Sequence, residues 1–74
     1  MTGNQLRAGR AIIGWSQSQV AQAAGLSVPT VKRAEGQAAI SASADAIAAL
    51  RAALESAGVE FLDNGEGPGV RLRR

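Results

Sequence analysis

Val28, Pro29, Thr30, Lys32 and Arg33 form the stretch of this chain whose side chains could do the most specific chemistry. The guanidinium of Arg33 offers a fork of donors that fits the O6 and N7 acceptors of guanine, and Lys32 can read guanine or bind phosphate. Thr30 can donate to a phosphate, while Val28 and Pro29 can make apolar contact with a thymine methyl. This is recognition chemistry rather than bond-making chemistry. The 74 residues include no histidine, cysteine or tyrosine, and no paired carboxylates stand at a plausible spacing. An enzyme is therefore not expected, and neither is a metal or other cofactor.

Side chains of this kind need a helix to carry them. In the stretch QSQVAQAAGLSVPTVKRAE, residues 17–35, two short helical patterns are separated by one glycine and one N-cap. Val20, Ala21 and Ala24 share one helical face, and Val31 and Ala34 share another. Gly25 sits where a helix ends in a left-handed residue, and Ser27 sits where the next helix needs an oxygen for its unpaired amides. The second of these helices is predicted over residues 28–35, with Pro29 in its first turn, where a missing N–H costs nothing. Stepping 100° per residue, Ala34 lies on the inward side with Val31, and Pro29 and Arg33 lie nearly opposite. Ser16 and Gln19 make a capping box that starts the preceding helix at Gln17, and Trp15 just before it reads as a core anchor.

Upstream, Thr2 and Gln5 form another capping box, predicting a first helix over residues 3–13 that stops at Gly14. Leu6 and Ile13 face inward there, and Arg7 points outward. After residues 36–42, read as a loop with Ile40 tucked inward, Ser43 caps a fourth helix with Asp45 in its first turn. Ile47, Leu50, Leu54 and Ala57 give that helix its apolar side, and Gly58 ends it. The period then changes to alternation in residues 59–62 and 70–73, with DNGEGPG between them as a turn or loop, so a C-terminal β-hairpin is expected. A lone hairpin is marginal in water. Val59, Phe61, Val70 and Leu72 must therefore pack on the helices or pair with another chain.

The charge is distributed unevenly along the chain. Residues 1–36 carry Arg7, Arg10, Lys32 and Arg33 against Glu35, whereas residues 37–69 carry Arg51 against Asp45, Glu55, Glu60, Asp63 and Glu66. A basic front and an acidic back suit a protein facing a polyanion on one side. Arg71, Arg73 and Arg74 at the end can touch a flanking phosphate backbone or keep an edge strand soluble. No apolar run is long enough to span a membrane and no signal-peptide core is seen, so a cytoplasmic location is expected. A single domain this small has a thin core, and dimerisation would help it.

The segment SQSQVAQAAGLSVPTVKRAEGQ resembles the helix-turn-helix of the XRE-like family, the DNA-binding fold of phage Cro proteins and lambdoid repressors. Its markers are Gln17 opening helix 2, Ala21 at the helix crossing, Gly25 in the turn, Leu26 and Val31 in the small core, and Glu35 ending helix 3. Beside the hairpin that alternation predicts in residues 59–74, read as part of the same domain, the resemblance implies a mainly α, four-helix domain of the lambda-repressor-like type over residues 1–58. It implies a sequence-specific double-stranded DNA-binding transcriptional regulator, a repressor among them, acting as a homodimer on a roughly palindromic operator. Val28, Pro29, Thr30, Lys32 and Arg33 then read bases. Gln17 contacts phosphate, Ser16 and Ser18 assist it, and Arg7 stands between phosphate and solvent. Glu35 pairs with Arg10 as a structural salt bridge. The hairpin, through Val59, Phe61, Val70 and Leu72, and the apolar side of helix 4 are the two candidates for the dimer interface. The rival reading is a helix-turn-helix module that binds another protein instead of DNA.

Overall fold

A computed structural model describes residues 2–64 and 67–73. Arg74 and the centre of the expected turn, Gly65 and Glu66, lie outside the described residues. The chain is mainly helical, with α1 (Gly3–Ile12), α2 (Gln17–Ala24), α3 (Val28–Ala34) and α4 (Ala44–Ser56), followed by β1 (Val59–Asn64) and β2 (Gly67–Leu72).

Local capping sets the helix starts. Thr2, Ser16, Ser27 and Ser43 each accept a hydrogen bond from the backbone amide three residues on, and Thr2 and Ser16 complete capping boxes with Gln5 and Gln19. Each box satisfies two amides that the helix itself leaves without partners. Gly25 ends α2 at φ 71°, a left-handed conformation costly for residues with a Cβ. From there the Leu26 amide reaches back to the Ala21 carbonyl at 2.9 Å. Residues 25–27 thus turn the chain from α2 into α3 with no strain. Helices α1 and α3 are each one residue shorter than the sequence suggests, because Ile13 and Glu35 serve as the closing residues.

The core draws on every helix and on β1: Leu6, Val20, Ala21, Val31, Ala34, Leu50, Leu54 and Val59 are all buried. Ile13, Trp15, Leu26 and Ile47, expected in the core, are half-buried against its rim. Ile40 is not tucked inward; it is 70% exposed. It sits in the connection of residues 35–43, with no periodicity to fix which way a side chain faces.

The hairpin is antiparallel with Val59 opposite Leu72 and Phe61 opposite Val70. Its strands reach further than alternation alone suggests, taking in Asp63, Asn64 and residues 67–69 of the expected loop. The Arg73 amide donates to the Gly58 carbonyl, so hydrogen-bonded pairing falls on every second pair from there. Pro68, opposite Asp63, is at a position whose N–H would point away from β1, where proline removes no ladder bond. Two features lay α1 across this sheet. A Cβ built on Gly9 would stand 3.2 Å from Val59 and 3.3 Å from Phe61, so glycine permits the close crossing. The amide of Gln5, 6% exposed, donates to the carbonyls of Leu62 and Gly69 at 3.1 and 3.3 Å. No helix among the described residues is long and apolar enough to cross a membrane.

Candidate nucleic-acid interface

Helix α3 is amphipathic over its seven residues. Val31 is fully buried and Ala34 nearly so, which fixes the helix on the core. Pro29, Lys32 and Arg33 are exposed on the other side, and Val28 and Thr30 are half-buried at its margins. Among the described residues neither Lys32 nor Arg33 has a carboxylate within salt-bridge distance. Two exposed cations therefore stand at consecutive positions of this short helix. Val28 packs against the rim of the core, and the Thr30 hydroxyl is 2.9 Å from that of Ser27. Both therefore have less to offer a ligand than the sequence suggests.

The C-terminal end of α3 is held by a polar network. Glu35 is 5% exposed, and its carboxylate accepts from Arg10 Nε at 2.9 Å and Nη2 at 3.1 Å, a two-pronged pair. Arg10 also donates from Nη1 to the Trp15 carbonyl at 3.1 Å. One guanidinium therefore ties α1, the turn before α2 and the end of α3. The first turn of α1 is equally close: a Cβ on Gly3 would fall 2.8 Å from the Glu35 backbone.

Gln17 belongs to this network. Its Nε2 donates to Glu35 Oε1 at 3.2 Å and to Gln37 Oε1 at 2.9 Å. A primary amide has two N–H donors, and both are engaged within the protein. A phosphate only accepts, so the Gln17 side chain as placed has nothing to donate to one. Ser16 is exposed, its oxygen already accepting from the Gln19 amide; Ser18 is exposed nearby. Arg7 is exposed and donates to Asn4 Oδ1 at 2.6 Å, one turn away on the outer face of α1.

The hairpin residues divide differently from expectation. Val59 is 1% exposed within the single chain, which leaves it no surface to offer a second one, and its assignment to a dimer interface is withdrawn. Its side chain closes the core over Gly9. Phe61 is half-buried, with Gly9 on one side and the Arg51 guanidinium 5.7 Å from its ring centre. Val70 and Leu72 are half-buried. On the other face of the sheet Arg71 pairs with Glu60 across the strands, and Arg73 is exposed.

Sequence reasoning missed Gln37 and underrated Gln5. Gln5 was legible as a cap residue but not as a clamp on residues 57 and 64 positions away. A shallow groove of about 620 Å³ between α2 and α4, lined by Trp15, Ala24, Ala53 and Ala57 among others, holds no converging polar groups. It lacks the chemistry of a small-molecule site. No protein-family model and no curated protein matches the chain.

Proposed function

We propose that the protein is a sequence-specific double-stranded DNA-binding transcriptional regulator, with residues 17–35 as a helix-turn-helix unit of the XRE-like type, working in the cytoplasm. The observation that carries this reading is the outer face of α3, where Lys32 and Arg33 stand exposed, without ion-pair partners among the described residues, on a helix whose inner face is locked by Val31 and Ala34. An α-helix fits the B-DNA major groove, about 12 Å wide. From it Arg33 addresses a guanine, Lys32 a second acceptor or a phosphate, and Pro29 an apolar contact with a thymine methyl. Val28 and Thr30 take marginal roles because they are half-buried. Ser16, Ser18 and Arg7 supply phosphate donors around the helix.

Two copies acting together would present two recognition helices to successive major grooves, about 34 Å apart, on a roughly palindromic operator. With Val59 in the core, the proposed contact between copies runs along an open strand edge of the hairpin, bordered by the exposed side of Val70 and Leu72.

Salt dependence of duplex binding tests the reading. The logarithm of affinity is expected to fall linearly with the logarithm of salt concentration. Arg33→Ala is expected to cost about 1–3 kcal/mol and to relax one base position. Retention of DNA independent of salt, or no retention at low salt, overturns the proposal.

A further inference from the structure

Gln37 follows α3 directly, and both its backbone and its side chain are held. Gly36 is left-handed at φ 79°. Its amide donates to the Arg33 carbonyl at 3.1 Å, and the Gln37 amide donates to the Lys32 carbonyl at 2.8 Å. These two bonds close a Schellman motif, so the Gln37 backbone is a rigid extension of the helix that carries the exposed cations.

The direction of its side chain follows from acceptor-only chemistry. A carboxylate offers no hydrogen, so the Gln17 group that faces Glu35 is its NH₂. The second hydrogen of that NH₂ points at Gln37, which must answer with its carbonyl oxygen. With Oε1 turned inward, the Gln37 NH₂ is turned outward, and the residue is exposed. The buried Arg10–Glu35 pair thereby sets the orientation of a surface amide through one intermediary. Glutamine reads adenine by presenting oxygen and nitrogen to the base together, and here the oxygen is turned toward Gln17. The group presented outward is a neutral donor.

We propose that Gln37 is a DNA contact of this protein, its outward Nε2 donating to a backbone phosphate beside the groove entered by α3, and that Gln17 is the residue that positions it. The inference rests on the DNA-binding reading above. A phosphate is acceptor-only and matches the NH₂ donor that this amide presents outward. Gln17 thus acts on DNA through Gln37 and not by its own side chain.

The test is duplex binding by fluorescence anisotropy across a salt series, with folding of each variant checked by circular dichroism. Gln37→Met keeps the length and loses the donor. Its binding is expected to weaken about threefold to tenfold on specific and unrelated duplexes alike, with the salt slope unchanged because no charge is removed. Gln37→Lys is expected to restore binding and to steepen the slope by about one. Gln17→Met, with the Gln37 donor present but no longer oriented, is expected to weaken binding by less than Gln37→Met. Wild-type affinity in Gln37→Met overturns the inference, and so does a loss confined to a single base-pair position, which would make Gln37 a base reader. Arg33→Ala runs alongside: a salt-dependent wild type that is weakened by Arg33→Ala but not by Gln37→Met leaves the DNA reading standing and removes only Gln37. A wild type that binds no duplex removes both.

Discussion

Replacing Glu35 by alanine removes the carboxylate that accepts three side-chain hydrogen bonds: two from Arg10 and one from Gln17. The Glu35 side chain is 2% exposed and that of Arg10 17%, so a cation is left largely buried without its partner. Breaking one side of a buried pair costs about 3–5 kcal/mol. Arg10 retains some contact with water and its bond to the Trp15 carbonyl, which places the expected cost lower, at about 2–3 kcal/mol. A domain of this length has a total stability of roughly 4–11 kcal/mol, so the loss is a large fraction of it and lowers the melting temperature by roughly 10–20 °C. The assay is urea unfolding followed by far-ultraviolet circular dichroism, with the denaturant slope checked for constancy. The double variant Arg10→Met, Glu35→Leu removes the charges together and is expected to be less destabilised than Glu35→Ala alone, a coupling between neighbours. A change below about 0.5 kcal/mol for Glu35→Ala, the usual range of a surface substitution, or strict additivity in the double variant, refutes the argument that this pair locks α1 to α3.

Three further outcomes follow from the packing. Gly3→Ala places a methyl group against the backbone of Ala34 and Glu35; it is expected to destabilise by about 1–3 kcal/mol in the same unfolding assay, although alanine is the better helix former by about 1 kcal/mol. A stabilised Gly3→Ala would show that the ends of α1 and α3 are not in contact. Leu50→Ala, at a side chain 1% exposed, is expected to cost about 2–5 kcal/mol, read from the urea midpoint. Deleting residues 59–74 removes Val59 from the core and both carbonyls that Gln5 bonds, so circular dichroism is expected to show an unfolded chain; a folded monomer would show that the hairpin is only an accessory.

What could be read from the sequence was what is decided within a few residues. The caps at Thr2, Ser16, Ser27 and Ser43 are contacts over three positions, and the turn at Gly25 depends on one backbone angle. The inward sides of α2, α3 and α4 follow from spacing, which is why Val20, Val31, Leu50 and Leu54 could be named. Contacts made across the chain left no such mark. The two jobs of Gln5, the tight approaches at Gly3 and Gly9 and the Gln17–Gln37 bond all depend on which surfaces meet after the helices form. Val59 was recognised as an inward strand residue, yet its alternation with Glu60 and Phe61 could not say whether the inward side belonged to its own chain or to a second one. Ile40 was misplaced for a related reason: an isolated isoleucine between alanine and serine has no periodic neighbours to orient it. In the candidate interface, Pro29, Lys32 and Arg33 were legible as outward residues, whereas the internal commitment of Gln17 was not.

Selection of bound sequences from random duplex DNA by the wild-type chain is the sharpest test of sequence-specific DNA binding by this protein. Enrichment is expected of a motif with two related half-sites centred about one helical turn apart, lost as salt is raised and relaxed at one position by Arg33→Ala. Recovery of a pool no different from the starting one at low salt would contradict it.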